Sequence, residues 1–165
     1  MTQAFNLVAE RPQPIRGAYA YMPNTPHTHN NVFYSAEATD VINAGDFVKL
    51  SATSTNTACP VVEACETTDV PVGMVVYDCR VNGYKVGEKV ALAKTGDIVW
   101  LVANGAITVG AKLQMVEDTA YVDDVAEEGN AYIGTALTKA GAQGDFVQVE
   151  LNFNLGVGVA DGDAA

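Results

Sequence analysis

Basic residues are scarce in this 165-residue chain: 9 Lys+Arg face 20 Asp+Glu, for a formal net charge of -11. Affinity for nucleic acid comes largely from Lys and Arg displacing counterions from phosphates, so neither DNA nor RNA is an expected partner. Histidine is rarer still, with His27 and His29 the only two, and Trp100 is the single tryptophan. The three cysteines, Cys59, Cys65 and Cys79, are an odd number at spacings that suit neither a disulfide framework nor a C-x-x-C metal knuckle. They read as small packed thiols in a reducing compartment. No apolar run approaches the length of a membrane span, and the opening MTQAFNLVAERPQPIRG has no basic start followed by an apolar stretch. No membrane partner and no export leader are expected.

Catalytic signatures are equally sparse. Gly-x-Gly occurs only at Gly156-Val157-Gly158, with no helix to follow it, and there is no Gly-x-Ser-x-Gly elbow. The spacing of His27 and His29 puts both on one side of a strand, and a distant carboxylate would complete the metal triad of a small β-barrel metal-dependent enzyme. The surrounding Pro-Asn-Thr-Pro-His-Thr-His-Asn-Asn is irregular, however, and spacing identifies no third ligand. Asp123, Asp124, Glu127 and Glu128 cluster locally, but not as an Asp-x-Asp-x-Asp-Gly loop, and read as a solvated turn. The expectation is a non-enzyme with no cofactor, no metal and no catalytic residue.

Against these absences stands a chain that is 48% apolar and only 18% charged, the composition of one globular domain. Its character changes near residue 36. Four of the six prolines, Pro12, Pro14, Pro23 and Pro26, fall in the first 26 residues. Proline fixes φ and lacks the N–H of a helix or central strand, so residues 1–36 read as an extended N-terminal arm. Arg11 and Arg16 against Glu10 leave the arm slightly basic, so the acidity lies in the body. Phe5, Leu7, Ile15, Tyr19, Tyr21 and Met22 give the arm spaced anchors that a Gly/Ser tether would lack. Two destinations suit them: the chain's own body, or a neighbouring chain, which is the reading preferred here.

Residues 37–155 form the body, in which eleven glycines between Gly45 and Gly144 punctuate short apolar runs. Strands are expected near 32–36, 46–51, 59–63, 72–78, 88–93, 98–102, 107–109, 112–116, 119–122, 131–137 and 146–153. Asn82-Gly83 and Asn104-Gly105 predict hairpins at about 75–90 and 97–109. In 146–153, Val147, Val149, Leu151 and Phe153 alternate with polar residues, the mark of a half-buried strand. The wholly apolar 98–102 is expected to be covered on both faces. Trp100, inside that run, reads as core or interface packing rather than as a sugar platform. The fold class is therefore all-β: a single barrel or sandwich of short strands with the extended arm, closed by a flexible Gly/Asp tail at 156–165.

Two phrases recur. Gly45-Asp46-Phe47-Val48, Gly87-Glu88-Lys89-Val90, Gly110-Ala111-Lys112-Leu113 and Gly144-Asp145-Phe146-Val147 each deliver the chain into a strand. Val72-Gly73-Met74-Val75 and Ile133-Gly134-Thr135-Ala136 place glycine inside a strand, at a bulge or close backbone approach. These suggest a worn internal duplication, whose irregular spacing reads as strand-and-turn grammar within one barrel.

The order of these phrases from Asn43 to Leu151, together with Val70-Pro71-Val72-Gly73-Met74 and Asn130-Ala131-Tyr132-Ile133-Gly134, resembles the small cement or decoration proteins of tailed-bacteriophage capsids. The resemblance covers roughly residues 40–152; the arm and tail are additions to the commonest form. It implies a β-barrel virion protein, made and assembled in the host cytoplasm, that binds the outer surface of the capsid. It further implies the major capsid protein as partner, bridging of neighbouring subunits, shell stabilisation and a homotrimer. On that reading the arm anchors contact the shell or a sister subunit. A capsid fibre base or glycan-binding module on the virion would use the same scaffold, and stays as an alternative beside the His27/His29 enzyme.

Overall fold

The computed structural model describes residues 14–20, 34–36, 41–54, 60–77, 83–85, 87–116, 121–125 and 127–158. Among these there is no helix. Eleven strands run in chain order: β1 Tyr34–Ala36, β2 Phe47–Leu50, β3 Val61–Ala64, β4 Gly73–Val75, β5 Lys89–Val90, β6 Leu92–Ala93, β7 Ile98–Ala103, β8 Lys112–Met115, β9 Tyr121–Asp123, β10 Tyr132–Ala136 and β11 Phe146–Leu151. The all-β expectation holds. Of the expected strands, only 107–109 is missing, reduced to one bridge between Ile107 and Ala140.

The expected barrel or sandwich takes the form of two sheets, one of them a closed barrel. Strands β10-β11-β7-β9-β8 close into a five-stranded barrel. The other sheet has the order β5-β1-β3-β2-β4-β6, and its two outer strands are consecutive pieces of one run, Lys89–Ala93, separated only by Ala91. That sheet therefore wraps round to its own start, with the topology of a second five-stranded barrel.

The two halves repeat strand for strand. In each, the first strand pairs in parallel with the third, and every other pairing is antiparallel. The registers repeat as well. Ser35 opposite Val61 and Lys89 corresponds to Val102 opposite Tyr121 and Phe146. Phe47–Met74–Ala93 corresponds to Lys112–Thr135–Glu150, and Lys49 opposite Glu63 to Gln114 opposite Asp123. Loop bonds follow suit. Gly45 N–H donates to Val75 O and Gly110 N–H to Ala136 O, each at 2.8 Å; the Ile42–Tyr84 bridge matches Ile107–Ala140.

The recurring phrases mark equivalent positions of this duplication. Gly45, Gly87, Gly110 and Gly144 all have φ between 79° and 90°, the left-handed region that a side chain resists. Gly73 and Gly134 occupy the same place in the fourth strand of each half. A Cβ on Gly73 would lie 2.8 Å from the Leu92 Cβ, and one on Gly134 would run into the Glu150 carbonyl.

The hairpin expected at Asn104-Gly105 does not form, because β7 pairs with β11 and β9 and not with the chain after the dipeptide. Gly105 also lacks a positive φ. Of the hairpin expected at Asn82-Gly83, residues 78–82 and 86 lie outside the described residues, and the described strands β4 and β5 do not pair with each other.

Two cores result. Ile42, Val48, Val62, Val75, Tyr84, Val90 and Leu92 fill the first barrel. Val99, Leu101, Leu113, Val122, Ile133, Val147, Val149 and Leu151 fill the second. The second core extends across the junction to take in Phe47, Met74 and Ala93 from the outer face of the first barrel. β11 alternates as expected, with Phe153 buried beyond its end. β7 is covered differently: Val99, Leu101 and Ala103 are buried, while Ile98, Trp100 and Val102 face outward half-buried.

Candidate functional site

The sequence singled out the arm, and the structure shows where its described portion lies. β9 pairs with β7 only at Val102 and Ala103, leaving the rest of that strand edge open. Residues 17–20 fill the gap. Gly17 N–H donates to Trp100 O at 2.8 Å, Trp100 N–H to Ala18 O at 2.9 Å and Ala20 N–H to Ile98 O at 2.9 Å, while Tyr19 bridges Val99 in antiparallel sense. Such pairing satisfies backbone groups that an uncovered strand would present as a template for another chain.

The same segment reaches the first barrel. Tyr77 N–H donates to Gly17 O at 2.9 Å, and the Arg16 guanidinium meets Asp46 at 2.7 Å. Gly17 has φ 78° and lies so close to the backbone of Gly45 that a Cβ would come within 2.5 Å of its nitrogen. Residues 16–20 thus clasp both barrels at their seam.

Among the six predicted arm anchors, Tyr19 is half-buried against the second core. Burial, reinforced by the Asp97 carboxylate, pushes its phenol up to about 12. Ile15 is exposed, at 43%. Phe5, Leu7, Tyr21 and Met22 lie outside the described residues, as do His27 and His29.

The other candidate groups serve turns and packing. Asp123 accepts from Asn104 Nδ2 at 2.9 Å and from Val125 N–H at 3.1 Å, and Glu127 accepts from Asn130 Nδ2 at 3.0 Å. No group of three His, Cys, Asp or Glu suited to a metal occurs among the described residues. Burial, with help from Asp69, pushes the Cys65 thiol up to about 12, which suppresses the nucleophilic thiolate. The Trp100 ring stands edge-on to Phe146, with centroids 6.5 Å apart, outside the second barrel.

The equivalent positions Lys49 and Gln114 do the same work with different chemistry. The Lys49 ammonium reaches Asp69 at 2.7 Å, in the loop after β3. The buried Gln114 amide holds the loop after β9, donating to Asn130 O at 3.1 Å and accepting from Glu127 N–H at 2.8 Å. Sequence reasoning missed both, because their partners become visible only once the two halves are superposed by register.

Comparison with known proteins adds two likenesses. Among solved structures, the head fibre gp8.5 N base of bacteriophage phi29 is similar over 74% of this chain and 94% of that one, with a TM-score of 0.51 and 15% identity. At that identity the likeness concerns the fold alone. No curated protein matches the chain. The family model described as structural cement protein (E217 gp24/Pam3 gp6) matches residues 10–152, which span the clasp and both barrels. The chain belongs to the phage structural cement proteins, structural components of the virion.

Proposed function

We propose that the protein binds the assembled capsid from outside and bridges neighbouring major capsid protein subunits, stabilising the shell. The observation that carries this reading is the family match over residues 10–152, which includes the arm clasp as well as both barrels. A net charge of -11 supports the outer face, since packaged DNA would repel an acidic body. The mechanism is linkage: a protein that binds only the geometry of the closed shell stabilises that geometry by mass action. The arm anchors Phe5, Leu7, Ile15, Tyr21 and Met22 are the proposed contacts to the shell or a sister subunit, while Tyr19 fixes the arm's root to its own body. A homotrimer would multiply such contacts through effective concentration.

The test mixes purified shells lacking this protein with the full chain and with a chain lacking residues 1–13, which precede the clasp. Sedimentation reads the copies bound, and heating reads shell rupture. The full chain should bind in fixed ratio to the major capsid protein and raise the rupture temperature, and the shortened chain should bind more weakly. Failure of the full chain to bind sinks the capsid reading. Binding at only a few copies per particle favours a fibre base, and undiminished binding of the shortened chain removes Phe5 and Leu7 from the contact.

A further inference from the structure

The duplication carries an internal control, because the junction between the two barrels shows what each repeat-equivalent surface looks like when covered. The first barrel contributes an outer face to that junction: Phe47, Met74 and Ala93, with Cys65 and Val76 packed beside them against the second core. The second barrel contributes an end. There Met115 packs against the same core, Ala131 is buried at 1%, and the Ala131 N–H donates to Thr67 O of the first barrel at 2.9 Å.

Each of these surfaces has an uncovered equivalent in the other half. On the first barrel, register equates Leu50 with Met115, and the matching turns Glu66–Asp69 and Glu127–Asn130 equate Val70 with Ala131. Leu50 is 50% exposed and Val70 56%. On the second barrel, Val125 lies two residues past β9 and Cys65 one past β3, the Val125 N–H turning back to Asp123 Oδ1 where that of Cys65 crosses to Phe47 O, and Leu137 stands where Val76 stands. The latter pair is fixed by matching bonds, Val76 N–H to Ala91 O and Leu137 N–H to Gln148 O. Val125 is 63% exposed and Leu137 37%. These four are among the nine large apolar side chains left exposed in the described residues.

An apolar side chain scattered on a surface needs no cover. Four that fall on both halves of one junction's footprint are a different matter, because each free surface is the complement of the other. We propose that copies of this chain associate head to tail by repeating the internal junction, with the Val125/Leu137 face of one copy seated on the Leu50/Val70 end of the next. The occupant is a second copy because only this chain is shown to possess both complementary surfaces, and an example of the contact is built into every molecule. Such a contact is heterologous, using different patches on the two partners, and it grows until it closes or is capped.

One difference sets its strength. Lys112, Thr135 and Glu150 occupy the places of Phe47, Met74 and Ala93 at the centre of the face. Polar centres cost desolvation, so the contact between chains is weaker than the one within and is reversible. The proposal concerns which surfaces join copies and stands whether or not they bind a shell.

Sedimentation equilibrium of the full chain tests it, up to about 1 mM so that weak association is seen. The wild-type chain should associate with rising concentration. Leu50→Glu and Val125→Glu should each weaken association by at least about tenfold, since each would bury a charge at the contact. Both side chains are exposed, so melting temperatures should be unchanged and fold loss is separable. Mixing the two variants decides the geometry. Each retains one intact surface, so the mixture should form a 1:1 heterodimer that grows no further. A face-to-face contact of identical patches would give no such rescue. A wild-type chain that stays monomeric, variants that associate as well as wild type, or a mixture that stays monomeric would each overturn the proposal.

Discussion

The Phe47 ring meets Phe153 edge to face, with centroids 6.2 Å apart and planes at 85°. One ring belongs to the first barrel and the other follows the last strand of the second, so this pair joins the two halves at their junction. Both are buried, at 7% and 9% exposure. Truncating such a ring removes its transfer free energy and leaves a cavity, at a cost of about 3–4 kcal/mol. Phe47→Ala should therefore lower the urea midpoint of the whole chain, with a smaller loss for Phe47→Leu. If the variant instead unfolds in two separated transitions, the junction is what makes the barrels one cooperative unit. An unchanged midpoint would show that the contact contributes nothing.

Removal of the arm in two steps separates its two roles. Loss of residues 1–13 leaves the clasp in place and should not change melting. Loss of residues 1–20 deletes the hydrogen bonds of Gly17, Ala18 and Ala20, the Arg16–Asp46 bridge and the packing of Tyr19. Four backbone bonds to the body are lost, each worth about 1 kcal/mol net, so this truncation should cost about 4 kcal/mol or more. Equal melting of the two truncated chains would mean that the clasp does not stabilise the body.

Much of the architecture was legible in the chain. Glycine phrases located the strand starts because left-handed turns and close backbone approaches accept little else, as at Gly45, Gly110, Gly73 and Gly134. The number of barrels was not legible, and the reason is physical. Duplication preserved hydrogen-bond register, which does not depend on side chains, while outward side chains diverged from Phe47 to Lys112 and from Met74 to Thr135. Loop lengths also drifted, so no fixed period survived. The arm's anchors were visible as spaced apolar residues, but the pairing of its root with β7 depended on β9 being too short to cover that edge, which pattern alone does not reveal.

Glycine substitutions test the tightest points of the seam and of the duplication. Gly17→Ala meets both a positive φ and the Gly45 backbone, so it should destabilise by about 2 kcal/mol or more. Gly134→Ala should be comparably costly through the Glu150 carbonyl, although its φ is ordinary. Gly96→Ala faces open space and bears only the left-handed penalty of about 1 kcal/mol. Thermal melts should rank the three, with Gly96→Ala mildest; the reverse order would refute the close approaches.

The Lys49 to Asp69 pair, at the position where the second barrel has the neutral Gln114, sets a pH dependence. A hydrogen bond to Asp69 raises the Lys49 pKa from 10.5, against desolvation. Burial pulls Asp69 upward, but hydrogen bonds from Lys49 and the Glu66 N–H outweigh it and hold the carboxyl below 3.8. A lowered acid stabilises the fold above its ordinary pKa, and that contribution is lost as pH falls through the folded value. A raised base stabilises below its ordinary pKa, and that contribution is lost as pH rises through the folded value. Both groups are partly exposed, so the pair is worth about 0.5–1 kcal/mol at low salt. Lys49→Gln copies the residue that stands at Gln114. Urea titrations should show wild type ahead of this variant by a constant margin between about pH 5 and 9. The margin should shrink below 3.8 and above 10.5 and narrow in high salt. A margin independent of pH and salt would mean that the Lys49 stem, not its charge, makes the contribution.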